Sequence, residues 1–211
     1  MKKFRVLGII SILVVITHII GSFGDFKRGA EDGWNHADQV RSDSITENPN
    51  KVTYARIEVR QLGNTDEQKV ANSLLDKDVP YKISTITTYV EPSTWHNILQ
   101  TLTLPWVFTF LYGFYCLIRF LIAISKREVL TDKNVHRIRW FAYSFVGGEF
   151  LMTLLFWLKE QAAVAQISLP GYELISNALT EADWISMIVI ILFTEIFAVG
   201  TKIKEEQDLT I

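Results

Sequence analysis

The chain contains one cysteine and five prolines, and its formal net charge is only −2. A single cysteine, Cys116, excludes an intramolecular disulfide, so any part outside a membrane must fold by its own packing. The small net charge gives no overall positive field, and we expect no direct binding of nucleic acid. Glycine-rich phosphate loops, serine-nucleophile motifs and metal-ligand clusters are also missing, so we expect no enzymatic activity, no cofactor and no metal.

Long apolar runs are the main positive feature. Four of them occur, at Phe4–Phe23, Ile98–Ile124, Ile138–Leu158 and Trp184–Ile203. A bilayer core of about 30 Å requires about 20 helical residues, and each run meets that length. The sequence therefore predicts an all-α membrane protein, built as a four-transmembrane-helix bundle.

Basic residues predict the orientation of the helices. They precede the first run, fill the segment between the second and third, and close the fourth, so both termini and that segment are expected in the cytoplasm. Trp95, Trp140, Trp157 and Trp184 lie near run ends, where indoles favour lipid head groups. The predicted order is helix 1–24, extracytoplasmic insertion 25–96, helix 97–125, cytoplasmic loop 126–137, helix 138–159, extracytoplasmic loop 160–182, helix 183–203 and cytoplasmic acidic tail 204–211.

The first apolar run has two interpretations. Lys2, Lys3 and Arg5 followed by an apolar stretch and Ser22-Phe23-Gly24 also resemble a cleavable secretory signal. The run of about 18 residues is longer than most signal cores, and we favour an uncleaved membrane anchor.

The insertion predicts a small α+β fold. Alternating polar and apolar residues in Lys51–Arg60 and the β-branched and aromatic content of Tyr81–Val90 indicate two strands. Between them, Thr65 and Gln68 have capping-box spacing, and Val70 begins an apolar stripe with Leu74 and Leu75, which predicts a helix ending before Pro80.

Four ionisable residues, Arg119, Glu149, Glu195 and His18, lie inside the apolar runs. The depths of Arg119 and Glu195 differ by about 3 Å, which favours an interhelical ion pair; the alternative is a snorkelling Arg119 and a protonated Glu195. Glu149 follows Gly147-Gly148, which permits close helix approach, so we expect its carboxyl to be buried against protein. His18 lies at a loosely similar depth in the first run and is a candidate partner for Glu149.

Two functions follow from these intramembrane residues. Structural contact between helices is the favoured one, since only Pro105 interrupts a run and no internal repeat is visible. The alternative is a small-solute or proton-coupled transporter that uses Glu149, Glu195 and Arg119.

The loop and the tail carry the remaining candidate residues. Thr131 is placed to cap a helix that begins near Asp132, and Arg137 and Arg139 are placed to anchor that helix at the inner surface. The tail combines acidic and apolar residues, a pattern suited to a basic partner surface with a small apolar pocket. Its residues are Glu205, Glu206, Gln207, Asp208 and Leu209. The alternatives are that the tail folds back on the basic loop or is simply solvated.

Both segments resemble a family of uncharacterised bacterial four-span membrane proteins classed as a domain of unknown function. Its loop has the form Phe-Thr-x-Glu-Asn-Val-x-Arg-Leu-Arg and its terminus Glu-Glu-Gln-Asp-Leu-Thr-Val. Thr131, Asn134, Val135, Arg137 and Arg139 match the loop, Glu205 to Thr210 match the terminus, and Glu195 falls where such proteins carry a glutamate; Leu130, Lys133 and Ile211 depart from the pattern.

The resemblance implies an integral protein of the bacterial inner membrane with no assigned reaction. Such genes often neighbour small helix-turn-helix regulators, which implies a cytoplasmic transcriptional regulator as partner. We therefore expect a regulatory or interaction protein whose docking residues are Thr131, Asn134, Arg137 and Arg139 with the tail. Its other expected contacts are membrane lipid and a second copy of the chain.

Overall fold

The computed structural model describes residues 52–63, 69–72, 77–126 and 128–209, with scattered positions between 10 and 34. Their elements are β1 (Thr53–Gln61), β2 (Lys69–Asn72), β3 (Lys77–Pro80), β4 (Thr85–Val90), α1 (Thr94–Ser125), α2 (Asp132–Gln166), β5 (Tyr172–Ile175), α3 (Ala178–Glu181) and α4 (Trp184–Leu209). Most of the predicted first span, His18 included, lies outside the described residues.

The chain divides into two compact units. The first, the helix unit, includes Leu102–Leu151 and Asp183–Ile211; the second, the sheet unit, comprises Thr46–Thr101 and Met152–Ala182. α1 and α2 each contribute residues to both.

Within the described residues, three helices, α1, α2 and α4, are long and apolar enough to cross a membrane. They coincide with the second, third and fourth predicted spans and confirm those three helices. Each extends to or beyond the ends of its apolar run, because backbone hydrogen bonding continues into the polar flanks. α4 is the clearest case, since it runs six residues past Ile203, to Leu209.

Small residues allow close packing of α1 against α2 in the helix unit. A Cβ added to Gly147 would overlap the Trp106 ring, and one added to Gly113 would overlap the Ser144 hydroxyl. The Trp106 indole also donates a 3.1 Å hydrogen bond to the Ser144 carbonyl. The expected role of the Gly147-Gly148 pair is therefore confirmed, because glycine is what admits the tryptophan.

An antiparallel sheet ordered β4-β1-β5 forms the sheet unit. The predicted alternation in β1 is confirmed, with Ala55, Ile57 and Val59 buried. Ile57 lies opposite Ile86 of β4. Ala55, Ile57 and Val90 pack with Ala163 of α2 in the core of the unit, so one face of the sheet is covered by helix.

The predicted helix after residue 65 is wrong for its described residues. Val70 lies in β2, directly opposite Val79 of β3, in an antiparallel pair. In this pair, the backbone N–H and C=O groups bond across the ladder, and the two β-branched valines face each other. The helical interpretation depended on a narrow apolar stripe. Among the described residues of 25–96, the only helical structure outside the start of α1 is at the scattered positions before 35, so this part of the insertion is β rather than α+β.

β5 is an element that the sequence analysis assigned to a loop. Leu174 pairs with Val59 across the second edge of β1. The strand is four residues long, too short to show a convincing alternation, and it follows Gly171, whose φ of 80° is readily adopted only by glycine. Long-range pairing with β1, rather than local pattern, therefore makes this strand.

Candidate functional site

The loop before α2 is organised by Asn134, which is almost completely buried. Its side-chain amide donates to the carbonyls of Glu128 and Val129, the latter at 3.0 Å. Its carbonyl oxygen accepts a 2.8 Å hydrogen bond from Nη1 of Arg137. One side chain thus satisfies two loop carbonyls and orients a cation, which explains why an asparagine suits this position.

Thr131 caps α2, as the sequence predicts. Its hydroxyl oxygen accepts from the backbone N–H of Asn134 at 3.4 Å, and its carbonyl accepts from the N–H of Val135 at 3.0 Å. Asp132 lies in the first turn, where a carboxylate favours the positive end of the helix dipole. Val135 is buried. The described loop residues 128–131 are therefore a defined structure.

Glu195 of α4 forms a bidentate ion pair with Arg139 of α2. Nε of Arg139 donates to Oε1 of Glu195 at 3.0 Å and Nη2 to Oε2 at 2.5 Å. The hydroxyl of Tyr143 donates to Oε1 at 2.6 Å. Arg139 and Tyr143 are four residues apart and share one face of α2. We call Arg139, Tyr143 and Glu195 the glutamate cluster.

The expected pair of Arg119 with Glu195 is corrected by this geometry. The prediction matched the two residues by depth, but depth does not determine which way a side chain points around its helix. Arg139 was assigned instead to the membrane surface and Tyr143 was missed. The sequence signal for these two residues was their four-residue spacing in the third apolar run, which puts them on the same face of a helix.

α2 and α4 are antiparallel neighbours. Arg139 contacts Glu195, and Phe150, eleven residues later on α2, contacts Trp184, eleven residues earlier on α4. The loop before α2 and the last turns of α4 therefore lie at the same end of the helix unit. At 1.5 Å per residue, the seven residues after Lys202 extend about 10 Å past the start of α2.

The acidic tail begins as a helix. α4 continues through Leu209, and its last turns are exposed. Leu209 is 86% exposed beside the carboxylates of Glu205, Glu206 and Asp208. The end of α4 therefore combines an apolar side chain with acidic ones. Residues 210 and 211 lie outside the described residues.

Glu149 does not have the buried environment that the sequence suggested. The side chain is exposed on α2, although it has an interacting partner within the structure. The Trp106 ring packs against the two adjacent glycines, on another face of the helix. Packing at Gly147-Gly148 therefore does not bring the neighbouring carboxyl into the interior.

Arg119 lies in a basic pocket between α1 and α2, with a volume of about 260 Å³. The pocket is lined by Tyr112, Tyr115, Arg119, Lys133, His136 and Arg137, together with the buried thiol of Cys116. Three of these side chains are basic, two arginines and one lysine, and none is a carboxylate. Among the described residues, no group of three or more His, Cys, Asp or Glu side chains could hold a metal.

Three apolar helices and an ion pair between two of them define the class as a helical protein compatible with a membrane. Residues 65–211 match the family described as protein of unknown function (DUF2975), and the chain belongs to that family. The expected resemblance to a family of unknown function is confirmed, and the matched range also includes β2 and β3 of the insertion. No curated protein and no solved structure matches the chain.

Proposed function

We propose that this protein is a non-enzymatic membrane protein that binds a cytoplasmic protein partner at one end of its helix unit. The docking face consists of the loop 126–131 and the last turns of α4, residues 202–209. The carrying observation is the glutamate cluster, which fixes α2 against α4 so that both parts of the face lie at the same end.

The order of the loop supports this proposal. Asn134 and Thr131 bond the loop backbone to the first turn of α2, so the loop offers a preformed shape to a partner. A preformed surface loses less conformational entropy on binding than a loop that must be ordered first. Asn134 and Thr131 thus act as positioning residues for the face.

The chemistry of the α4 end indicates the kind of partner. Three exposed carboxylates precede the exposed Leu209 in the last turns of α4, which suits a basic surface with a small apolar recess. By the positive-inside rule, Lys126, Lys202 and Lys204 favour a cytoplasmic location for this end. The family resemblance implies that the membrane is the bacterial inner membrane. A small helix-turn-helix regulator, implied by the family resemblance, is a partner of this kind.

Crosslinked pull-downs from native membranes test the proposal. We expect the triple variant Glu205→Lys, Glu206→Lys, Asp208→Lys to lose a partner protein that the wild-type chain retains. Asn134→Ala should retain less of the same partner, because its binding is weakened. Glu173→Lys reverses an exposed acidic charge on β5, away from the proposed face, and is the control for a single charge reversal. An unchanged partner set in the triple variant would contradict the docking face.

Topology and transport provide two further discriminating measurements. Reporter fusions after Glu128 and after Gln207 should report one compartment; opposite compartments would overturn the proposal. The alternative of a proton-coupled or small-solute transporter requires Glu149→Gln or Glu195→Gln to abolish flux in liposomes while folding stays intact. The bidentate pair at Glu195 favours a structural role instead, in which Glu195→Gln lowers stability.

A further inference from the structure

The basic pocket combines charges that the described part of the chain does not neutralise. Arg119 comes from α1, and Lys133 and Arg137 come from the first turns of α2. Arg137 is bonded to the neutral amide oxygen of Asn134, which leaves its positive charge intact. Within the described residues, neither Arg119 nor Lys133 has a carboxylate within ion-pair distance.

His136 adds a donor to the pocket. Its Nε2 accepts a 2.8 Å hydrogen bond from the indole of Trp140, so a neutral imidazole carries its proton on Nδ1. The lining therefore offers guanidinium, ammonium and imidazole donors and lacks a competing carboxylate. Guanidinium groups bind phosphate oxygens in pairs, and an ammonium group adds a point charge.

The position of the pocket indicates where its ligand comes from. Arg119 lies six residues before the end of α1, about 9 Å inside it, on a helix apolar enough to cross a membrane. Tyr112 and Tyr115, which also line the pocket, lie deeper along α1 than Arg119. Unpaired cations at this depth are costly without an anion.

We propose that the basic pocket binds the phosphate of an anionic phospholipid head group, in the leaflet at the loop end of the helices. Its volume of about 260 Å³ falls below the roughly 300–1,000 Å³ of sites that enclose a whole ligand. It suits a head group whose acyl chains remain in the bilayer. Basic pockets between membrane helices are a recurring way to hold such lipids. To reach Arg119, an acidic peptide would have to pass the end of α1 and enter the apolar, membrane-compatible part of the helix.

Native mass spectrometry of the full-length chain tests this binding. The protein is released from mixed micelles that contain equal amounts of phosphatidylglycerol and phosphatidylcholine, and the ratio of the two retained lipids is measured. We expect phosphatidylglycerol to be retained preferentially. Each removed cation should lower that preference about fivefold, so Arg119→Gln with Lys133→Gln should lower it about 25-fold.

Lys69→Gln removes an exposed cation of β2, outside both the pocket and the docking face, and it should leave the ratio unchanged. If the double variant does not fold, as judged by its helical circular dichroism, Lys133→Gln alone serves, because Lys133 is exposed in the first turn of α2. An unchanged lipid ratio in the folded pocket variants would overturn the proposal.

Competition distinguishes lipid from other anions. Inorganic phosphate or a hexaglutamate peptide is added at the same concentration as phosphatidylglycerol. We expect neither to displace the lipid. Displacement by phosphate would identify a soluble phosphate site, and displacement by the peptide would identify a protein-binding site; either result would overturn the assignment to lipid.

Discussion

Arg137 and Arg139 lie two residues apart on α2, and the structure gives them different partners. Arg139 forms a bidentate pair with Glu195, whereas Arg137 donates to the neutral Asn134 and lines a pocket with two further cations. Two residues on a helix are about 200° apart, so the side chains project to nearly opposite sides. The same residue type thus neutralises charge between α2 and α4 and concentrates charge between α1 and α2.

This difference separates structure from binding. A cation that is matched by a carboxylate holds two helices together and has little attraction left for a ligand. A cation bonded only to an amide oxygen keeps its field. The following predictions test whether the α4 side of α2 carries stability while the α1 side near the loop carries recognition.

The largest effect is expected for Glu195→Leu. The substitution leaves Arg139 without its carboxylate in an apolar helix, and we expect the free energy of unfolding to fall by about 2–4 kcal/mol. Equilibrium unfolding in mixed detergent micelles measures the change. Arg139→Leu combined with Glu195→Leu should restore most of the loss, because no uncompensated charge remains. A double variant as unstable as the single one would contradict a role for the pair.

Gly147→Ala should cost about 1–3 kcal/mol on the α1 side, because the new methyl group overlaps the Trp106 ring and forces the two helices apart. The same unfolding titration measures it. Gly200→Ala is the matched control, since nothing lies within 4 Å of a Cβ at that position. The free energy of unfolding of this control should rise by no more than about 1 kcal/mol, which is the advantage of alanine over glycine inside a helix.

Asn134→Ala should cost about 1–2 kcal/mol, because two loop carbonyls lose their amide donor. Hydrogen exchange should show faster exchange in the amides of residues 128–135. Asn134→Asp retains an acceptor for Arg137 but no donor for the carbonyls, and we expect a similar loss. Full protection in the aspartate variant would show that the loop depends on the Arg137 contact instead.

The smallest effect on stability is expected for Arg137→Met. The positive charge of Arg137 near the start of α2 is unfavourable to the helix dipole, and its hydrogen bond to Asn134 has a neutral partner. The unfolding free energy should change by no more than about 0.5 kcal/mol. A loss as large as that of Glu195→Leu would remove the distinction between the two arginines.

Much of the helix unit could be predicted from the sequence. Hydropathy located three helices, capping chemistry at Thr131 located the start of α2, and Gly147-Gly148 predicted a close helix contact. Each signal is local, because it depends on residues within a few turns of one another. β1 was predicted for the same reason, from the alternation around Ile57.

Two of the three failures involve long-range partners. β5 pairs with a strand more than a hundred residues earlier, and its four residues carry little pattern of their own. β2 and β3 were interpreted as part of a helix, because Val70 fits either period when its neighbours are few. Among the site residues, the Arg119 pairing failed because matching depths leave the direction around the helix undetermined.

By itself, the sequence determined which segments are long and apolar enough to cross a membrane and where α2 begins, because length, hydropathy and capping act locally along one segment. Only the tertiary structure decided that Glu195 meets Arg139 and Tyr143 and that Arg119 joins Lys133 and Arg137 in a basic pocket. The physical reason is rotational: the packing of neighbouring helices sets which face of each helix meets which partner, and no single segment encodes that choice.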